Sequence, residues 1–68
     1  MEKVRLSTEF IKLEQVLKLV GAVESGAEAK LYIAEGKVSV NGDVEIQRGK
    51  KLRSGDIFEF RGMKYVIG

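Results

Sequence analysis

The sequence predicts a small α+β domain, in which two short packed helices are followed by a small antiparallel sheet. Apolar residues repeat with the period of an α-helix in two stretches before Gly36, the period becomes two after it, and turn residues separate the later apolar runs. Helices followed by a run of strands are typical of the α+β class. A chain of 68 residues has the length of one domain, so we expect residues 1–68 to form a single one.

The first predicted elements are a short edge strand and a helix. Polar and apolar residues alternate over residues 3–6, as they do in a strand with one buried face. Gly21 lies where a glycine commonly ends a helix. Before it, four apolar residues spaced i, i+3, i+4 and i+7 share one helical face: Leu13, Val16, Leu17 and Val20.

A second helix is predicted to begin after Ser25. Ser25 and Glu28 match a capping box, in which each side chain accepts a hydrogen bond from the other residue's free backbone N–H. Ala29 and Ile33 share a face of this helix, and Gly36 marks its end. Because about five residues join the two helices, we expect their apolar stripes to pack at an angle.

A β-hairpin is predicted around Asn41-Gly42-Asp43, between two segments of alternating polarity. A two-residue loop at Asn-Gly would mix polar and apolar residues on each face. A three-residue loop pairs Val40 with Val44 and Val38 with Ile46, which keeps one face apolar. We therefore expect the three-residue loop.

Two further strands are predicted at the end of the chain. Ser54-Gly55-Asp56 has the composition of a turn, and strands over 57–60 and 64–67 flank Arg61-Gly62-Met63. Phe58 and Phe60 share one face of the first of these strands, so we assign them to the core.

The composition argues against catalysis. The chain has no histidine and no cysteine, so it lacks the Ser-His and Cys-His nucleophile pairs and the usual zinc ligands. No glycine-rich phosphate loop is present. We expect no enzymatic activity, cofactor, metal or small-molecule substrate. No apolar segment has the length of a membrane span or follows the pattern of a signal peptide, so we expect a cytoplasmic protein without membrane contact.

Positive charge is concentrated in the second half of the sequence. The formal net charge is +2, but residues 1–36 carry −1 and residues 37–68 carry +3. Most of the excess comes from residues 47–53, which hold four cations and no acid. Such a run is either a solvated loop or a patch that attracts phosphate through its local field.

Four motifs in order over residues 12–60 resemble the S4 domain, an RNA-binding module found in a ribosomal small-subunit protein, pseudouridine synthases and tyrosyl-tRNA synthetases. Little is added at either end of this core motif, which further resembles the free-standing bacterial subgroup called YaaA-like or YbcJ-like. The first motif is a basic-Leu-acidic triplet at Lys12-Leu13-Glu14, and the second is a serine-capped turn at 25–29. The third is an Ile-x-x-Gly-x-Val-x-Val-Asn-Gly run at 33–42, and the fourth is a Gly-Asp turn at 55–57.

The resemblance implies an S4-type (αL) fold and a non-catalytic module that binds structured RNA. We expect a monomer whose target is ribosomal RNA or a ribosomal subunit. In the family, two helices present basic side chains to the RNA. Lys18 is interpreted as a solvated helix residue, Tyr32 as partly core or a base-stacking residue, and Phe10 and Tyr65 are left undecided. The residues that we expect to bind RNA are Lys12, Lys30, Lys37, Arg48, Lys50, Lys51 and Arg53.

The sequence departs from the family at two basic positions. Gly26 stands where the family commonly has arginine, and Lys12 gives a point charge instead of a two-pronged guanidinium. We therefore expect the basic loop from Arg48 to Arg53 to supply much of the affinity. Two other functions fit parts of the pattern: an S4-fold protein-docking module with weak RNA affinity, and a ubiquitin-like sulfur carrier, although the chain ends in a single glycine, Gly68.

Overall fold

Two short helices pack against a five-stranded sheet in the structure, a computed structural model that describes all 68 residues. A second, two-stranded sheet lies beside them. The elements in chain order are β1 (Glu2–Val4), β2 (Ile11–Lys12), α1 (Leu13–Leu19), α2 (Gly26–Ala34), β3 (Val38–Val40), β4 (Asp43–Val44), β5 (Lys51–Leu52), β6 (Ile57–Phe60) and β7 (Met63–Ile67).

The larger sheet is mixed, not purely antiparallel as the sequence suggested. Its strand order is β1-β7-β6-β3-β4, and β1 pairs in parallel with β7. The two strands are connected only through the rest of the chain, so no hairpin forces them to be antiparallel. The Gly68 amide donates to the Val4 carbonyl at 2.7 Å and extends this pairing past β7.

Both helices lie where the sequence predicts them. α1 ends before Gly21 and α2 before Gly36. The Ser25 hydroxyl accepts a hydrogen bond from the Glu28 amide at 3.1 Å. The reciprocal bond from the Ser25 amide to the Glu28 carboxylate is absent, so only half of the predicted capping box forms. The serine half alone satisfies one of the free amides at the helix start.

The predicted three-residue hairpin loop is wrong. Val40 pairs with Asp43 and Ser39 with Val44, so only Asn41-Gly42 forms the loop. Both loop residues have positive φ, +52° and +88°, as a type I′ turn requires. This turn matches the right-handed twist of the strands. That advantage outweighs the mixing of polar and apolar residues on each face of the hairpin. The consequence is that the Val44 side chain is 64% exposed.

One continuous hydrophobic core joins the helices to both sheets. Phe58 and Phe60 are buried in it, as predicted. Tyr65 is also buried and stacks on Phe58, with ring centroids 4.6 Å apart. Tyr32 is half-buried and packs against Phe60 at 5.2 Å. The 14 buried residues are Val4, Leu13, Val16, Leu17, Val23, Ala29, Ile33, Val38, Val40, Leu52, Phe58, Phe60, Tyr65 and Ile67.

Candidate nucleic-acid interface

The basic loop is docked onto the N-terminus of α1. The Leu13 amide donates to the Lys50 carbonyl at 2.8 Å, and the Glu14 amide donates to the Arg48 carbonyl at 3.0 Å. The first amides of a helix have no partner within the helix, so the loop carbonyls satisfy groups that would otherwise need water or a cap. These hydrogen bonds place the backbone of residues 48–50 beside the start of α1.

The small sheet of β2 and β5 fixes the next cations. Lys12 lies directly opposite Lys51, and Ile11 lies opposite Leu52. Leu52 is fully buried and anchors the strand to the core. Like charges directly opposite each other on neighbouring strands are destabilising, by roughly 0.2–1 kcal/mol. The fold therefore keeps Lys12 and Lys51 together at a cost in stability, which a bound anion would remove.

A turn held by Asp56 closes the basic loop. The Asp56 carboxylate accepts hydrogen bonds from the Arg53 amide at 2.8 Å and from the Asn41 side-chain amide at 3.1 Å. The Asn41 side-chain oxygen, Oδ1, in turn accepts a hydrogen bond from the Ile57 backbone amide at 2.9 Å. The Arg53 amide, more than the other neighbours, lowers the pKa of Asp56, against a smaller opposing effect of burial. These bonds hold the loop to the β3–β4 hairpin.

The half-buried ring of Phe10 lies beneath two of the loop's cations. The Lys51 ammonium is 4.8 Å from the ring centroid, and the Arg53 guanidinium carbon is 5.6 Å from it. Cation–π contacts of this length hold flexible basic side chains over an aromatic face. Phe10, which the sequence left undecided, therefore belongs to the same surface as the basic loop.

Lys18 comes close to the position where the family's arginine is missing. Its Nζ lies 3.9 Å from the point that a side-chain Cβ on Gly26 would occupy. Lys30 follows Gly26 by four residues, so it lies one turn further along the same face of α2. Lys18 of α1 and Lys30 of α2 therefore both lie on the side of the helix pair where Gly26 stands.

The remaining predicted residues have acidic neighbours. The Lys37 ammonium lies 3.8 Å from the Glu35 carboxylate, and the Arg48 guanidinium lies 3.9 Å from that of Glu14. Both contacts are long and exposed, and such pairs contribute about 0–1 kcal/mol. Lys37 lines a separate groove that also contains Arg61. None of the other predicted cations has a carboxylate within 4.0 Å.

Sequence reasoning missed two features of the interface and one cluster beside Lys37. Phe10 and Lys18 gave no periodic signal for binding, although Lys18 stands in the last turn of α1, just before the connection to α2. Arg61 donates to the Tyr32 hydroxyl at 2.7 Å and lies over the Tyr32 ring at 4.8 Å. Tyr32 therefore contacts Arg61 as well as the core residue Phe60.

The structure holds no grouping of three or more metal-ligating side chains. None of its helices has the length and apolar character needed to cross a membrane. The fold does place two cations over one aromatic ring, Phe10, and brings the other cations of the basic loop and Lys12 to the start of α1. Such a surface is typical of modules that bind nucleic-acid backbones.

The chain belongs to the S4 domain family, whose model matches residues 4–68. It is 41% identical over 59 residues to the "Probable ribosome maturation protein RlbA" of Bacillus subtilis (strain 168), across 87% of this chain and 83% of that protein. It is 46% identical over 52 residues to YbcJ of Escherichia coli (strain K12), across 76% and 74% of the two chains.

Two solved structures share the fold. The solution structure of Escherichia coli YbcJ, described as containing an αL motif involved in RNA binding, matches with a TM-score of 0.74 and 38% identity, over 98% of this chain and 86% of YbcJ. The 30S ribosomal protein S4e of Thermoplasma acidophilum matches with a TM-score of 0.66 and 22% identity, over 88% of this chain and 32% of S4e. The predicted S4-type fold and the resemblance to the YbcJ-like subgroup are confirmed.

Proposed function

We propose that this protein is a non-catalytic RNA-binding module that recognises structured RNA. The observation that carries the proposal is the cluster of cations at the start of α1, built into an S4 fold. The hydrogen bonds from α1 to the loop and the β2–β5 pairing hold this cluster in one place. We define the loop surface as Lys12, Arg48, Lys50, Lys51 and Arg53.

The names of the relatives support the proposal that ribosomal RNA is the target. YbcJ is described as having a motif involved in RNA binding, and RlbA is named for ribosome maturation. We extend this to the present chain: residues 1–68 act as one domain, a monomer in the cytoplasm, on ribosomal RNA or a ribosomal subunit. A pattern of cations that contacts phosphates suits such a target, because A-form RNA hides its bases in a deep, narrow major groove.

The cations divide into three roles in this proposal. The loop surface binds backbone phosphates directly, because four of its five cations have no carboxylate partner within 4.0 Å: Lys12, Lys50, Lys51 and Arg53. Lys30, joined by Lys18, contacts the same RNA strand or its neighbour from the face of α2. Lys37 lies close to the Glu35 carboxylate and lines a separate groove, so it contributes least to RNA binding.

Charge removal with a matched control tests the proposal. The variant Lys50→Ala/Lys51→Ala removes two charges from the loop surface. The control Lys3→Ala/Lys64→Ala removes two exposed charges from β1 and β7 of the larger sheet. The affinity for purified ribosomal RNA and for ribosomal subunits is measured over a range of salt concentrations.

We expect the loop variant to bind more weakly and to respond less to salt. Each phosphate contact contributes roughly 0.7–0.9 to the slope of log affinity against log salt, so the slope should flatten by about 1.4–1.8. The control variant should keep the slope of the unchanged protein. Equal effects of the two variants would contradict this surface. A flat salt response in the unchanged protein would contradict RNA binding itself and favour the protein-docking module.

A further inference from the structure

An open groove begins at Phe10 and runs along the outer side of α1. It encloses about 860 Å³ and is lined by residues that include Ser7, Thr8, Phe10, Gln15, Lys18 and Leu19. We propose that this groove receives one unpaired base of the RNA, stacked on the Phe10 ring, while the phosphates beside that base lie on the flanking cations. The proposal rests on the RNA-binding function and adds to it a preference for RNA with an extruded nucleotide.

The backbone on both sides of the Phe10 ring is anchored. The Thr8 hydroxyl donates to the Phe10 carbonyl at 2.7 Å, which shapes the backbone before the ring. The next residue, Ile11, pairs with the buried Leu52 across the small sheet. An aromatic side chain that is positioned before the ligand arrives stacks on a base with little loss of conformational entropy.

The charge of the groove suits a nucleotide. Lys51 and Arg53 lie over the ring at one end, and Lys18 lines the groove further along α1. No acidic residue lines it. A base placed on the part of the Phe10 ring that these cations leave open would therefore have basic groups nearby for its phosphates. Proteins bind single-stranded nucleic acid through this combination of an aromatic ring and a basic groove.

The groove also offers partners for the polar edge of a base. The Gln15 side-chain oxygen accepts from the Lys12 amide at 3.3 Å, which leaves its NH₂ group free to donate. The Ser7 hydroxyl makes no hydrogen bond within the protein. The exposed Leu19 side chain gives an apolar wall. A paired base within a duplex is stacked on its neighbours and cannot enter, so the groove discriminates in favour of an unpaired one.

Two RNA hairpins test the proposal. One carries a single bulged 2-aminopurine in its stem, and the other has the same stem without the bulge. We expect the unchanged protein to bind the bulged hairpin at least about fivefold more tightly, the lower limit for one base stacked on an aromatic side chain. The 2-aminopurine fluorescence should fall on binding because the base stacks on the ring.

Variants at Phe10 separate stacking from charge. Phe10→Leu should remove the preference for the bulged hairpin, because it weakens binding of that hairpin more than binding of the fully paired one, whereas Phe10→Tyr should keep the preference. Thermal unfolding of both variants checks that the fold is retained. Lys50→Ala/Lys51→Ala should instead weaken binding of both hairpins.

The outcomes also separate this inference from the proposed function. Equal binding of the two hairpins, or an unchanged preference in Phe10→Leu, would overturn the base site and leave RNA binding in place. Failure of the unchanged protein to bind either hairpin or ribosomal RNA would overturn both. A smaller 2-aminopurine signal change in Phe10→Leu than in Phe10→Tyr would support stacking on the ring.

Discussion

Replacing Gly26 with arginine should strengthen RNA binding without destabilising the fold. Gly26 is the first residue of α2, and a Cβ at this position would meet only the Lys18 ammonium, at 3.9 Å. An ordinary side chain therefore fits. Because the flexible Lys18 side chain can move away, the new guanidinium would extend from the helix face toward the same RNA as Lys30.

The expected magnitudes separate stability from binding. Loss of a helical glycine stabilises by up to about 1 kcal/mol. A cation at a helix N-terminus destabilises by roughly 0.3–1 kcal/mol, so the net change in the free energy of unfolding for Gly26→Arg should be close to zero. A charge-assisted hydrogen bond to phosphate contributes about 1.5 kcal/mol or more, which corresponds to about tenfold in affinity.

The assay compares the unchanged protein, Gly26→Ala and Gly26→Arg for binding to ribosomal RNA at several salt concentrations. Gly26→Ala carries the change in helix propensity without the charge, so it should unfold at a higher temperature and bind as the unchanged protein does. Gly26→Arg should bind more tightly and steepen the salt slope by about 0.7–0.9. The same affinity and slope in the two variants would refute the position of this helix face on the RNA.

Three further predictions concern stability. Leu52→Ala should lower the free energy of unfolding by about 2–5 kcal/mol in urea denaturation, because the lost side chain is fully buried; a loss below about 1 kcal/mol would contradict its anchoring role. Gly62→Ala should lower the free energy of unfolding by about 1–2 kcal/mol because φ at Gly62 is +78°. Gly49→Ala is the control, because Gly49 has open space around it and no positive φ, and it should not destabilise. Equal melting temperatures of the two variants would argue against the positive-φ turn at Gly62. Because the pKa of Asp56 is lowered in the folded protein, its carboxylate stabilises the fold above its ordinary pKa of 3.8, and this contribution is lost as the pH falls through the lower value in the folded protein. The difference in the free energy of unfolding between the unchanged protein and Asp56→Asn, measured at a series of pH values, should therefore shrink in acid.

The helices were predictable because their signals are local. The apolar stripe of α1 and the serine cap of α2 depend on residues within one or two turns of each other, and both elements form where the sequence places them. The assignment of Phe58 to the core was predictable for the same reason, since alternation within a single strand defines the buried face.

The hairpin register was not predictable from side-chain alternation. Alternation favoured a pairing of Val40 with Val44, but Val40 pairs with Asp43 because the Asn41-Gly42 turn has the twist that the strands require. The hydrogen bonds of Asn41 to Asp56 and Ile57 further fix this loop from a distant part of the chain. Turn geometry and long-range contacts thus decided a register that the local pattern left ambiguous.

The positive charge of the basic loop was visible in the sequence, because a run of like charges needs no fold to be recognised. The sequence by itself determined the family, the two helices and the cationic character of residues 47–53. Only the tertiary structure decided where those charges lie: against the amides of α1, opposite Lys12 and over the ring of Phe10, with Lys18 beside Gly26. These contacts join residues far apart in the chain, and their positions depend on how the core packs and not on any local spacing.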